Sequence, residues 1–318
     1  MKLFPQQEST RTLTRWQADG LLLLVALFWG ATFALIKQAV ATIAPFSFLG
    51  MRFLLAFVIV IALYPRRLCR HWRPTLKAGL ATGTVLFAGF ALQTVGLLYS
   101  TAAKAAFITG LAVVFVPLLA FLLQRRLPHP GAVCGILLAT SGLGLLSFSG
   151  TAEDLASGAL GGDFLLVLCA VAFALQVIMV DHHARRCDPI ALGIIQIGTV
   201  AGLGLVCAFL WELSPGPQVL HPQVMTAILF TAIFATSVAF LLQSGAQRFT
   251  THTDAALVLT MEPVFGALCA YLLLGETLTM VGWAGAGLIA LGMVLSELAR
   301  NHYQNRTEAL REDSLSQQ

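Results

Sequence analysis

Charge is scarce in this chain. Of its 318 residues, 19 are Lys or Arg and 15 are Asp or Glu, so charged side chains make up only 11%. A soluble domain carries roughly 25%. A water-facing surface cannot be built from so little polarity, which excludes an ordinary soluble fold. The signatures of built-in catalysis are missing too. There is no GxxxxGK[ST] loop for an ATPase, no HExxH for a membrane metalloprotease and no GxSxG nucleophile elbow. The six cysteines (Cys69, Cys134, Cys169, Cys187, Cys207, Cys269) show no CxxC spacing, and four fall inside apolar runs. They read as small buried hydrophobes, not as disulfides or zinc ligands. His182 and His183 are adjacent but lack the further ligands that a metal site needs. No catalytic residue, metal or cofactor is expected.

What the chain has in abundance is apolar length. Hydrophobic residues make up 58%, and the mean hydropathy is +0.83. An apolar run of about 20 residues crosses a hydrocarbon core about 30 Å thick as a helix. Ten such runs are expected, near 20–38, 46–64, 77–99, 103–123, 131–149, 162–180, 190–211, 224–246, 254–273 and 280–298. The first is read as a span and not a cleaved signal, although Ala39, Val40 and Ala41 resemble a cleavage site. Short connections leave no room for a soluble domain. Residues 1–18 and 299–318 read as polar tails.

The few cations orient the bundle. With the N-terminus inside, 16 of the 19 Lys and Arg residues fall in inner segments, among them Arg66, Arg67, Arg70, Arg73 and Lys77. Retention of cations on the inner face then predicts that both termini are cytoplasmic. The basic residues thus belong to a membrane surface, and no nucleic-acid partner is expected. Trp16, Trp72 and Trp211 fall near span ends, where amphipathic rings sit among headgroups.

The chain also repeats itself. A shift of 144 residues lays Asp19 on Asp163 and Pro45 on Pro189. A shift of 150 lays Phe90 and Gln93 on Phe240 and Gln243, Val114 and Phe115 on Val264 and Phe265, and Gly135 and Gly142 on Gly285 and Gly292. Two halves are expected, 19–150 and 151–298, each of five spans. Five is odd, so the second half enters the membrane upside down. The expected fold class is an all-α membrane protein of ten transmembrane helices in two inverted five-helix repeats. Inverted repeats are a recurring plan in secondary transporters, where two halves rock about a midplane site.

The ordered motifs carry a resemblance. Helix one has Phe28, Trp29, Gly30, Ala31, Thr32 and Phe33 leading to Lys37. Pro45 and Phe46 precede Arg52 and Phe53 in helix two. Thr101 to Ala105, with Lys104, opens helix four, and Pro117 interrupts it. The second half has Glu262 and Pro263, then Leu274, Gly275 and Glu276, then Gly282, Gly285 and Gly292. This set resembles the drug/metabolite transporter superfamily, in its ten-helix EamA-type branch, over Asp19 to Leu298. In the first half Arg125 and Arg126 stand where the second has Gly275 and Glu276, so that feature is present once. The resemblance implies an inner-membrane transporter that exports amino acids, other metabolites or drugs by alternating access around a cavity between helices one to four and six to nine.

Ionisable residues inside hydrocarbon are functional candidates by default. Arg52 lies about 9 Å into helix two, where a guanidinium can hold a substrate carboxylate in a bidentate fork; a structural pair with backbone carbonyls is the alternative. Glu262 is the deepest acid, about 12 Å from the inner end of helix nine. Pro263 should kink the helix there and free a carbonyl. An acid beside such a break can hold a proton, a cation or a substrate amine, or pack as a protonated, hydrogen-bonded side chain. The proton is therefore the expected coupling ion. Trp29, Thr32, Gln93, Gln176, Gln196 and Gln243 are softer candidates, lining a cavity or bonding helix to helix. The glycines of helices five and ten serve close packing or a homodimer contact. Partners are thus a small-molecule substrate, a proton and membrane lipid. The competing readings are an uncoupled facilitator or importer of the same fold and, less favoured, a polytopic membrane enzyme, for which the acids and histidines are too scattered.

Overall fold

A computed structural model describes residues 14–99, 105, 108–124, 130–147, 160–212, 221–266, 268, 279–292, 294–295 and 298–299. Lys104, Arg125, Arg126, Cys269, the Leu274 to Glu276 segment and residues 1–13 and 300–318 lie outside them. Among the described residues every regular element is a helix. In order these are α1 (Arg15–Val40), α2 (Pro45–Leu63), α3 (Pro65–Tyr99), α4 (Ala112–Gln124), α5 (Pro130–Ser147), α6 (Leu160–Ala184), α7 (Pro189–Trp211), α8 (Pro222–Phe249), α9 (His252–Leu259) and α10 (Met280–Gly292). Six of them, α1, α2, α3, α6, α7 and α8, are long and apolar enough to cross a membrane. Outward-facing Val58, Leu122, Leu137, Phe164, Phe209 and Met280 are exposed, as lipid-facing side chains should be.

Local chemistry sets several helix ends. α1 starts earlier than the apolar run, because Thr14 and Gln17 form a reciprocal capping box over its first turn. α2 and α7 each begin with a proline, whose fixed φ and missing N–H suit the first helical position. α3 starts at Pro65 and not near 77, so the basic stretch expected as a connection is helical and passes through Pro74. The first turn of α2 has no cap from its own neighbour; Glu212, at the end of α7, supplies one. Its carboxylate accepts from the Phe46 and Ser47 amides and the Ser47 hydroxyl, each at 2.7 Å. Anion and helix N-terminus attract. Glu212→Ala should destabilise the protein by about 1–2 kcal/mol, read as a lower unfolding temperature in detergent; an unchanged temperature would show that water replaces the carboxylate at no cost.

The packing has a regularity of its own. α1 lies along α8, α3 along α6, α2 across α7 and α4 against α9. Glycine brings α5 onto α10: a Cβ at Gly142 would lie 2.5 Å from the Gly285 carbonyl, and one at Gly292 would lie 2.7 Å from that of Gly135. Backbones this close tolerate no side chain between them. Exchanging the first five helices with the last five carries each contact onto another of the set. The α1–α8 contact becomes α6–α3, and the other pairs map onto themselves. The glycine contacts obey the same exchange, since Gly135 and Gly285, like Gly142 and Gly292, are 150 residues apart.

Candidate functional site

A cavity of about 90 Å³ lies within the bundle, lined by residues of α1, α2, α3, α4, α6, α8 and α9 and of the irregular segments beside α4 and α9. At ~10–15 Å³ per water it has room for a handful of waters or part of a small solute. Its walls are mainly aromatic and aliphatic, with Trp29, Phe90, Phe173 and Phe240 among them. These rings meet edge-on or tilted, Trp29 to Phe240 at 5.4 Å and Phe90 to Phe173 at 5.2 Å between centroids. Few polar groups converge on an otherwise apolar space, the usual composition of a small-molecule site.

Two of those groups carry charge. Arg52 lies about 10 Å into α2 at 1.5 Å per residue and is only 2% exposed. Its guanidinium carbon is 5.2 Å from the ring centroids of both Phe53 and Phe90, so the cation is held between aromatic faces. Its Nε donates to the Thr236 hydroxyl at 2.9 Å; no described residue accepts from its two terminal nitrogens. Glu262 comes from the opposite side. Both residues line the cavity, and no hydrogen bond or ion pair joins them. The Glu262 carboxyl likewise has no hydrogen bond to a described residue, and it lines the cavity.

Helix breaks put Glu262 there. α9 ends at Leu259, a turn follows at Thr260 and Met261, and helical backbone resumes at Glu262. The turn is closed by short-range bonds, from Thr260 N–H to the Leu257 carbonyl and from Met261 N–H to that of Val258. Pro263, just beyond, has no N–H to continue the ladder. Gly30 seats this break against α1, since any Cβ there would collide with the Glu262 carbonyl and Gly266 N. The first half has a matching break. Leu111 is a turn directly before α4, and Gly110 and Ala112 line the cavity as Thr260 and Glu262 do, 150 residues later. Pro117, expected to interrupt this helix, instead lies inside α4 away from the cavity; the backbone turns at Leu111.

α8 carries the least regular backbone of the site. Its Thr231–Val238 stretch is π-helical. The wider turn leaves backbone acceptors for other groups. The Ala235 carbonyl accepts the Trp29 Nε1–H at 2.8 Å, and the Ser237 hydroxyl donates to the Ala232 carbonyl at 2.8 Å. Adjacent residues of one π turn, Ala235 and Thr236, therefore position both Trp29 and Arg52. The corresponding stretch of α3 is ordinary α-helix.

Of the residues singled out in the sequence, Trp29, Thr32, Arg52, Gln93, Gln176, Gln243, Glu262 and Pro263 all line this one cavity. Thr32 gives its hydroxyl proton back to the Trp29 carbonyl at 2.8 Å. Gln176 and Gln243 face each other with reciprocal amide contacts of 3.4 Å. Gln196 stands behind them, outside the cavity, between Gln176 at 3.4 Å and the Ser244 hydroxyl at 3.1 Å. Lys37 donates to the Leu97 carbonyl near the end of α3. The phenylalanine walls and Thr236 were not singled out. Phe90 and Phe240 did carry a signal, since they coincide under the 150-residue shift.

Toward the far ends of α1, α6 and α9 the bundle is tied by polar groups. Arg15 pairs with Asp254, His252 lies 3.2 Å from Asp181, and Arg185 donates to the Thr250 carbonyl at 2.6 Å. Above this layer, Phe33, Ile36, Gln93 and Thr109 carry the cavity toward the other face.

The sequence profile of the EamA-like transporter family matches this chain twice, over residues 16–148 and 160–298. An "Uncharacterized transporter" of Archaeoglobus fulgidus is 34% identical over 293 residues, covering 92% of this chain and 90% of its own. "Uncharacterized transporter YvbV" of Bacillus subtilis is 25% identical over 90% of this chain and 93% of its own. A crystal structure aligns with a TM-score of 0.74 at 19% identity, over 91% of this chain and 99% of the other. A likeness at that identity speaks to the fold alone.

Proposed function

Because the chain belongs to the EamA-like transporter family, and is therefore a multi-pass membrane transporter and not an enzyme, we propose that it is a secondary transporter of the bacterial inner membrane. It exports small metabolites, amino acids or related compounds among them, or drugs, by alternating access with proton coupling. The observation that carries this reading is the pair of Arg52, buried, and Glu262, half-buried, which line one apolar cavity without a hydrogen bond or ion pair between them. Charge is held at such depth at a cost of a few kcal/mol. A guanidinium whose terminal nitrogens have no acceptor among the described residues offers a fork to a carboxylate or phosphate. A carboxyl at a helix break offers a place for a proton or a substrate amine.

The exchange symmetry of the helix contacts, the matched breaks at Leu111 and Met261 and the twofold match of the family profile support two inverted five-helix repeats around this site. Ten spans with both termini cytoplasmic follow from that plan and from the placement of the cations. In this arrangement the polar layer of Arg15, Asp254, Asp181 and His252 closes the cytoplasmic side and the cavity leads outward.

Purified protein in proteoliposomes tests the reading. Preloaded candidate amino acids and amino-acid analogues should show saturable counterflow, and an imposed pH gradient should drive accumulation of the same solute. Absence of counterflow across such a panel, with protein shown to be folded, would overturn it.

A further inference from the structure

A second concavity, of about 520 Å³, lies on the outside of the bundle between α2, α3 and α7, well apart from the central cavity. α3 lines it with Trp72, Leu76 and Leu80, α7 with Gly198 and Thr199, and α2 with Phe57. The three α3 residues stand four apart and form one stripe along the helix. From Trp72 to Leu80 the stripe runs about 12 Å at 1.5 Å per residue, from the end of a span toward its middle. No charged side chain lines it, so along its length only a hydrocarbon chain suits it.

Its mouth is different. Trp72 is 41% exposed, where an indole marks the headgroup level. The Arg73 guanidinium carbon lies 5.6 Å from the Trp72 ring centroid, which places a cation at the rim. Arg66, Arg73 and Lys77 are all exposed on this end of α3. Residues 65–99 contain no Asp or Glu. Of the acids on the neighbouring helix ends, Asp181 holds Arg185 and His252, and Asp188 accepts from the Ala191 amide at the start of α7. An apolar slot one leaflet deep, headed by cations with no acid partner among the described residues, matches an anionic phospholipid in both of its parts.

We infer that this groove is a binding site for a phospholipid with an anionic headgroup, its phosphate held by Arg73 and Lys77 and one acyl chain lying along Trp72, Leu76 and Leu80. Arginine suits the phosphate because its planar fork meets two oxygens at once. The lipid would fill the seam between α3, which walls the central cavity, and the α2–α7 pair, one member of which carries Arg52. The inference rests on the chain spanning a membrane and not on what it transports.

The test is competitive lipid retention by purified full-length protein in detergent, read by native mass spectrometry with equal amounts of palmitoyl-oleoyl phosphatidylglycerol and palmitoyl-oleoyl phosphatidylcholine. Wild-type protein should keep phosphatidylglycerol in preference. Arg73→Gln combined with Lys77→Gln should weaken that retention on the order of tenfold and leave phosphatidylcholine unchanged. Leu80→Trp, filling the slot from an exposed position, should reduce retention of both lipids. Equal retention of the two lipids by wild type, an undiminished preference in the double variant, or wild-type retention by Leu80→Trp would each overturn the site. None of these readouts depends on flux, so failure of the transport reading and failure of the lipid site are separable.

Discussion

Exchange of Arg52 for methionine should leave the protein at least as stable as before and abolish its transport. The guanidinium is one of the largest fully buried side chains in the bundle, and its only described hydrogen bond is to the Thr236 hydroxyl. Taking a charge out of water is expensive. Replacing buried ionic groups with apolar side chains of similar size is often neutral, or stabilising by ~1–4 kcal/mol. Methionine is unbranched and adaptable, and a thioether packs well against the Phe53 and Phe90 rings that now flank the cation. Thr236 can return its proton to its own helix, as many threonines in this bundle do. Transport should respond in the opposite way, because the carboxylate or phosphate of the solute loses its partner. A loss of about 100-fold or more in apparent affinity is expected, the scale of a buried hydrogen-bonded charge pair. Arg52→Lys keeps the charge without the fork and should fall between the two. Thermal unfolding in detergent beside counterflow in proteoliposomes separates the outcomes. If stability and transport fall together, Arg52 is a packing element; if transport persists, it is no part of the binding site.

The second large effect concerns Glu262. Glu262→Gln preserves shape at the break after α9 but cannot take up and release a proton. The variant should still exchange solute for solute, since counterflow needs only the alternation of the loaded carrier. It should fail to accumulate solute when a pH gradient is imposed. That split between retained exchange and lost coupling is what a proton-carrying acid predicts, and a packing role would not produce it. Gradient-driven accumulation at the wild-type level in Glu262→Gln would remove the coupling idea and favour a facilitator. Loss of exchange along with coupling would instead make Glu262 a direct solute ligand.

Much of the site was legible before any coordinates. Arg52 and Glu262 stood out because a charge in an apolar run has no cheap explanation, and both line the cavity. The glutamines stood out for the same reason in weaker form. The sequence could not sort them, however. Gln93 and Gln243 coincide under the repeat, yet Gln243 is engaged with Gln176 while Gln93 has no described hydrogen-bond partner. Gln196 looks the same in sequence and lies behind the wall. In helices that are apolar all round, periodicity does not say which side faces a cavity and which faces lipid. The π stretch of α8 left no trace either. Its Thr231 to Val238 segment is unremarkable by composition, and an i→i+5 turn arises only where packing and side-chain hydrogen bonds sustain it. Pro117 misled for a related reason. A proline removes one donor wherever it sits, but whether the helix bends there or a turn earlier depends on what lies alongside.

Hydropathy and sparse charge determined by themselves that this chain lives in a bilayer, because solvation by lipid writes directly into residue order, and the 144- and 150-residue offsets led to the expectation of two halves. The tertiary structure decided which polar residues meet. Arg52, Thr236 and Glu262 lie on α2, α8 and the break after α9, far apart in the chain, and their convergence is set by helix faces and close glycine contacts that one-dimensional periodicity does not encode.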